Sequence, residues 1–314
     1  MSSSSVFIDS PLSDEDRRAR LYDGDIFIFS PTPNTRALID LARAMLEEAF
    51  APHDPRTVHN KMTPEDVAGI LAKLKPRFIH HPECKKIIPN IMREHGIDLQ
   101  KLYFDVPRMR SAYPSHFLTS GIAYAFHPHR DTWYSAPLCQ LNWWIPIYPL
   151  DPNNSMGFYP RYFKESIKNN SEIYNYYEWN AKNRATASQH IKSDVREQPK
   201  AQEELQYVTM RYLPPPGGII VFAGAQVHES VPNTTEVARY SIDFRTVHFD
   251  DVASHRGAPN VDSRCTGTTM RDYLKAADLS HLPNDVIALY DDDSAKEANV
   301  HYFGARLAST EETK

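Results

Sequence analysis

From residue 35 to 50 the apolar side chains of Leu38, Ile39, Leu41, Ala42, Met45 and Leu46 return every three or four positions, the period of one helix face. This predicts an amphipathic helix over 35–50. A second helix is announced by Thr63 as N-cap, Pro64 at the first position and Glu65 and Asp66 in the first turn. A third is predicted over about 82–95, where Lys85, Lys86 and Arg93 oppose Ile87, Ile88 and Ile91, with Pro89 expected to kink or split it. Ahead of these, 25–30 (Asp-Ile-Phe-Ile-Phe-Ser) reads as a short strand. Residues 1–23, rich in Ser and then in charge, predict a polar, mobile N-terminus.

Past residue 101 the pattern changes to short runs of Tyr, Phe, Val, Ile and Trp punctuated by Pro, Gly and Asn, which is the grammar of strands and turns. Strands are predicted at 101–106, 117–126, 138–148, 156–159, 206–212, 218–223 and 238–248. Short strands with no helices between them argue for a sandwich or barrel of antiparallel sheets. The stretch 160–205 is too long for a plain connection; Tyr- and Asn-rich, then polar and helical around 183–197, it is expected to act as a lid-like insertion. The predicted organisation is a single domain over 24–314, mainly β with flanking helices. It has a helical part at 24–100, a β core at 101–250 and a C-terminal extension at 251–314.

Composition narrows the function classes. A formal net charge of −5 and a pI near 6.3, without a long run of Lys and Arg, argue against a nucleic-acid partner. No run approaches the ~18 apolar residues of a membrane span, and the N-terminus lacks the basic and apolar regions of a secretion signal. The expected location is the cytoplasm, with no membrane partner and a monomeric or homodimeric state. Cys84, Cys139 and Cys265 are too few and too scattered for a disulfide framework or a zinc knuckle, which fits a reducing compartment.

The chemistry concentrates in Ala125-Phe-His-Pro-His-Arg-Asp-Thr-Trp133. Residues two apart on an extended segment point the same way, so His129 and Asp131 can converge while Arg130 faces elsewhere. Further on, Gly217-Gly-Ile-Ile-Val-Phe-Ala-Gly-Ala-Gln-Val-His228 delivers an apolar strand whose exit leads to a second histidine. Two histidines and a carboxylate on one face of a metal leave three positions open, as a non-haem Fe(II) oxygenase requires. Either fragment alone is common. The third element is Ala238-Arg-Tyr-Ser-Ile-Asp-Phe-Arg-Thr-Val247, where Arg239, Ser241, Asp243 and Arg245 share one strand face and Tyr240, Ile242 and Phe244 the other. An inward Arg with a Ser two residues on can clamp a carboxylate.

In this order, His-x-Asp, distal His and Arg-x-Ser resemble the Fe(II)/2-oxoglutarate-dependent dioxygenases. The text between them resembles the phytanoyl-CoA dioxygenase-like branch over about residues 105–250. That branch carries a phrase Asn-Gly-x-Leu-x-x-x-Pro-Gly-Ser-His. Here Leu150-Asp-Pro-Asn-Asn-Ser-Met-Gly-Phe-Tyr-Pro-Arg-Tyr162 stands in its place: Asn153 and Pro160 match, while Asn154, Met156 and Arg161-Tyr-Phe163 depart from the Gly, the Leu and the Gly-Ser-His. The resemblance implies a double-stranded β-helix (jelly-roll) core. It also implies Fe(II) held by His129, Asp131 and His228, 2-oxoglutarate as cosubstrate with its distal carboxylate on Arg239 assisted by Ser241, and O2 as oxidant. Related halogenases carry Gly or Ala where Asp131 stands, so the resemblance favours hydroxylation or a desaturation-type outcome at an unactivated C–H, with succinate and CO2 released.

Around these residues the expectations stay open. The strand from Leu138 to Pro146 alternates Gln140, Asn142 and Trp144 against Leu141, Trp143 and Ile145. If the first face lines the barrel, Gln140 or Asn142 binds the C1-carboxylate of 2-oxoglutarate or is a satisfied buried amide, and Trp144 walls the pocket. Arg245 reaches substrate or pairs with Asp243 or another acid. Arg245, Trp144, Arg130 and Tyr134 are the candidates to face substrate. Arg108, Arg110, Arg130 and Arg161 together hint at an anionic or polyhydroxylated small molecule. Tyr174, Tyr176, Tyr177 and Trp179 form an aromatic lid or pack internally, and the acidic run 291–293 reads as a solvated turn. Two alternatives differ in kind: a non-catalytic, cupin-like metal-binding jelly roll, or an oxygenase of the same class catalysing desaturation or cyclisation.

Overall fold

The computed structural model describes residues 4–118, 127–183, 198–206 and 209–291. In chain order the described elements are β1 (Val6–Ile8), α1 (Asp14–Tyr22), β2 (Ile26–Phe29), α2 (Pro33–Phe50), α3 (Pro64–Ile79), α4 (Pro82–Glu94), β3 (Leu102–Phe104), β4 (Arg108–Ala112), β5 (Leu141–Pro146), β6 (Met156–Phe158), α5 (Tyr176–Glu178), β7 (Met210–Arg211), β8 (Ile219–Ala223), β9 (His228–Ser230), β10 (Arg239–His248), α6 (Phe249–Ala253), β11 (Leu274–Lys275) and α7 (Asn284–Ala288). None of the described helices is long and apolar enough to cross a membrane.

β4, β10, β5 and β8 lie side by side, each antiparallel to its neighbour. A smaller sheet runs β7, β6, β9, and His129 bonds onto its outer strand through an antiparallel bridge to His228. The chain alternates between the two. β4 is in the first sheet and His129 at the second, β5 in the first, β6 and β7 in the second, then β8, β9 and β10 switch sides at each step. This is a double-stranded β-helix, the jelly roll expected. The larger sheet grows beyond it, with β2 on β8, β1 on β2, β3 on the far end of β10, and β11 on β3.

Alternation along the strands decides what lies on each side. Tyr240, Ile242 and Phe244 of β10 and Leu141, Trp143 and Ile145 of β5 turn outward and join Leu38, Leu46, Leu71, Phe78, Ile88 and Ile91 from α2 to α4 in one buried core. In register, Phe244 sits opposite Trp143, their rings stacked at 5.9 Å. Each such side chain contributes about 1.5–3 kcal/mol on burial, so the helical layer holds the sheet rigid from behind. The opposite face of the same strands is polar and lines the barrel cavity.

The helices follow their sequence signals. Thr32 and Thr63 cap α2 and α3, each followed by a proline in the first turn. Pro89 lies inside α4, which runs on through it as one helix rather than being split. Residues 4–23 depart from expectation. β1 pairs in parallel with β2, and α1 docks through Arg18, whose Nε donates to Asp251 at 2.7 Å while the Tyr22 hydroxyl donates to the same carboxylate at 2.8 Å. Composition read that charge as solvated; a distant acid buries it. The predicted strand 117–126 falls mostly, and the predicted helix at 183–197 almost wholly, outside the described residues.

Candidate active site

Backbone bonds bring the three proposed ligands together. His129 and His228 exchange N–H to carbonyl bonds at 3.0 Å each way, which closes the end of the smaller sheet. Arg130 is extended, and Asp131 opens a 3-10 turn with its N–H on the carbonyl of Gly224 at 2.8 Å, while the Gly224 N–H donates to Gln140 at 2.8 Å. A Cβ on Gly224 would lie 3.2 Å from the Gln140 amide nitrogen, so the two segments cross closely here. Ser135 ends the turn in the left-handed region at φ 62° and is held by its hydroxyl on Thr266 at 2.7 Å.

The Asp131 Oδ1 lies 3.5 Å from His129 Nε2 and 3.8 Å from His228 Nε2, and one ligand atom from each residue falls within 4.8 Å of the others. Both imidazoles have Nδ1 against a main-chain carbonyl two residues back, His127 at 2.8 Å and Gln226 at 2.9 Å. That bond puts the proton on Nδ1 and leaves the Nε2 lone pair facing inward, as a metal ligand requires. Burial, with His129 alongside, lowers His228 to about 4, so it is neutral at ordinary pH. For Asp131 burial works upward, but the neighbouring His129 and His228 imidazoles and the Asn142 amide outweigh it and hold the carboxyl down at about 2. Two imidazoles with Nε2 turned inward and an ionised carboxylate converge on one point. This is a two-histidine, one-carboxylate metal triad.

No family model and no curated protein matches the sequence. Among solved structures, the chain is similar to EvdO2 from Micromonospora carbonacea var. aurantiaca, at 11% identity and a TM-score of 0.44 over 77% of this chain and 93% of that one. It is similar to the alpha-ketoglutarate-dependent carbocyclase SnoK from nogalamycin biosynthesis, at 14% and 0.38 over 76% and 85%. A third likeness is to the non-heme monooxygenase ThoJ, at 13% and 0.35 over 70% and 71%. These likenesses are distant, and the chemistry of the site is read from its own geometry.

Gln140 and Asn142 face inward as predicted, and of the two tasks left open for them the hydrogen bonds match the satisfied buried amide. Gln140 Nε2 and Asn142 Nδ2 both donate to Asp131 Oδ2, each at 2.8 Å, and Gln140 Nε2 also donates to Asn142 Oδ1 at 2.9 Å. Both hydrogens of the Gln140 amide are therefore committed to holding the triad carboxylate and its neighbour, not to a cosubstrate carboxylate. Alternation tells which face a side chain occupies and not which partner waits there.

Arg239 and Ser241 stand on the same inward face of β10. The guanidinium of Arg239 is buried, lies 5.6 Å from the Trp144 ring, and donates to Ser230 Oγ at 3.2 Å and to the Ser155 carbonyl at 3.5 Å. Its Nε and the Ser241 hydroxyl are buried without a hydrogen-bond partner, and among the described residues no carboxylate lies within ion-pair distance of it. Burial pulls its pKa down to about 10, still charged at neutral pH. Such a cation costs free energy unless an anion joins it. Arg239, Trp144, Tyr134 and the triad line one cavity of about 340 Å³.

The remaining arginines are already matched. Arg130 does not reach the cavity: Nε meets Asp262 at 3.0 Å, Nη1 donates to Ala225 and Nη2 to Tyr162 and Glu165, both groups of the ion pair being 2–3% exposed. It is a clamp between segments, not a substrate contact. Arg130→Met is expected to lower folding stability by about 3–5 kcal/mol, since Asp262 would stay buried without its partner; urea unfolding checks this, and a loss under 1 kcal/mol would mean the pair is no clamp. Arg245 lines the cavity, with Nη1 on Asp105 at 3.1 Å and Nε 3.9 Å from Asp131. Arg108 pairs with Asp105, Arg110 with Asp243 at 2.6 Å, and Arg161 with Glu165.

Aromatic residues run outward from the metal centre. Ring centroids step from His129 to Tyr134 (5.5 Å), Tyr174 (5.2 Å) and Trp179 (5.8 Å), and Tyr176 also lines the cavity. Tyr177 does not; its hydroxyl bonds Asp291, which pairs with Arg271 and so is no solvated turn. Residues 292 and 293 lie outside the described ones. Sequence reasoning missed Asp105, Thr269, Asp272 and Tyr273 as cavity residues, and no local spacing marks them.

Proposed function

We propose that this protein is an Fe(II)- and 2-oxoglutarate-dependent oxygenase that hydroxylates an unactivated C–H of a polar small molecule, releasing succinate and CO2. The observation that carries the reading is the presence, in one cavity, of an open metal triad and a buried guanidinium with no carboxylate within ion-pair distance among the described residues. The donor set of two Nε2 atoms and Asp131 Oδ1 suits ferrous iron and leaves positions for a bidentate ligand and O2. Arg239 Nε and Ser241 Oγ, both unsatisfied, are what a dicarboxylate's far end would fill.

When bound, iron and 2-oxoglutarate would serve to activate O2, the oxidant. The chain supplies the rest. His129 and His228 hold fixed tautomers, Gln140 and Asn142 orient Asp131, and Arg239 with Ser241 receives the distal carboxylate beside Trp144. Tyr134, Tyr174 and Trp179 wall the cavity on the substrate side and limit water. Because Arg108, Arg110, Arg130 and Arg161 each face a carboxylate, a neutral polyhydroxylated substrate fits better than an anionic one.

Anaerobic addition of Fe(II) followed by 2-oxoglutarate is expected to produce a weak visible charge-transfer band. Folded, iron-loaded protein that develops no band would reject this reading in favour of a metal-binding jelly roll without turnover, which gives Arg239 no task. Product mass then separates hydroxylation, a gain of one oxygen, from desaturation or cyclisation, a loss of two hydrogens.

A further inference from the structure

We infer that Tyr273, from the segment beyond the barrel, is a positioning residue that keeps Asp131 a one-oxygen metal ligand by orienting the Gln140 amide. The inference rests on the triad being a metal site. Tyr273 is 1% exposed and follows a 3-10 turn at Met270–Asp272; β11, which comes next, pairs with β3 through Leu274 opposite Phe104. The C-terminal segment is thus anchored on the edge of the larger sheet and delivers one phenol into the barrel, where its hydroxyl donates to Gln140 Oε1 at 2.7 Å.

The two ends of a Gln or Asn amide have nearly the same shape and opposite hydrogen-bonding character. With Oε1 taken by the Tyr273 O–H, Gln140 must turn Nε2 toward Asp131 Oδ2 (2.8 Å) and Asn142 Oδ1 (2.9 Å). Because Asn142 Oδ1 is then an acceptor, Asn142 turns its own Nδ2 to Asp131 Oδ2, again at 2.8 Å. One O–H therefore sets two amides, and both end on the same carboxylate oxygen. Oδ1 is left facing the imidazoles. A flipped Gln140 would put a carbonyl oxygen against a carboxylate. Without these donors Oδ2 is free to turn to the metal too, and a bidentate Asp131 would take one of the three positions that a chelating cosubstrate and O2 share.

Co(II) is the probe, because its visible absorption reports coordination number without turnover. Tyr273→Phe keeps the ring and removes the donor. Its expected results are a changed Co(II) spectrum, Co(II) affinity weakened by about 10–100-fold and a lower kcat/KM for 2-oxoglutarate, because a position the chelating cosubstrate needs is taken. Gln140→Met should reproduce the spectrum, and the double variant should be no worse than either single one, as residues acting in series are non-additive. Additive effects, or a Tyr273→Phe protein with wild-type Co(II) spectrum and affinity, would overturn the inference. If Tyr273→Phe fails to fold, Gln140→Met alone decides: an unaltered spectrum overturns it. A folded wild-type protein that takes up no Co(II) would instead overturn the metal site itself.

Discussion

Asp131→Ala is expected to abolish Fe(II) binding and turnover while the barrel stays folded. The carboxylate is the sole anionic ligand of the triad and lies within 3.8 Å of both Nε2 atoms. Losing an outer partner of a metal site costs 10–100-fold in affinity, and losing a ligand costs more, so a drop well beyond ~100-fold is expected. Asp131→Asn should fail as well. An amide has one acceptor oxygen: if it takes the N–H groups of Gln140 and Asn142 its NH2 faces the metal, and if the oxygen faces the metal, donors meet donors. The stability change stays modest because two effects oppose. Orphaning the two amides costs roughly 1–3 kcal/mol, while removing a buried carboxylate returns part of its desolvation. Metal titration by calorimetry, with circular dichroism as the folding control, checks this; retained stoichiometric Fe(II) in Asp131→Ala would remove the triad from consideration.

Arg239→Met should separate the cosubstrate site from the metal site. Truncating one partner of a buried charge pair costs about 2–5 kcal/mol, so 2-oxoglutarate affinity is expected to fall by about 30-fold to several thousand-fold while Fe(II) affinity is unchanged. The same substitution should leave the ligand-free protein at least as stable as wild type. Its buried guanidinium has an unpartnered Nε and no carboxylate within ion-pair distance among the described residues. Relief of that cost, on the order of 1–3 kcal/mol, opposes the lost contacts with Trp144 and Ser230. 2-Oxoglutarate should raise the Tm of the wild type and not of the variant. Equal loss of Fe(II) and 2-oxoglutarate binding, or a marked fall in the Tm of the ligand-free variant, would show that Arg239 holds the fold together rather than a ligand.

Where sequence and structure agree, the signal is local. The alternation of β10 sorts Arg239, Ser241, Asp243 and Arg245 from Tyr240, Ile242 and Phe244 without any knowledge of neighbours, and the core confirms the second set. The spacing of His129 and Asp131 predicts convergence, and 3.5 Å separates their ligand atoms. Where the two part, the residue in question is polar and its partner remote. β4 was not foreseen because Arg108 and Arg110 point into a polar cavity, where strand patterning expects apolar side chains. β9, three residues led by His228, is too short and polar to announce itself.

Periodicity, caps and short spacings are properties of neighbouring residues, so the chain alone marks the flanking helices, a core of antiparallel sheets, the inward faces of β5 and β10, and the convergence of His129 with Asp131. Charge matching and hydrogen-bond direction depend on groups that meet only after folding. Asp262 turns Arg130 from a candidate contact into a clamp, Asp105 claims Arg245, and Tyr273 reaches back from beyond the barrel to aim Gln140 at Asp131. A buried donor takes whichever acceptor the fold brings within 3 Å or so, and no spacing along the chain records that choice.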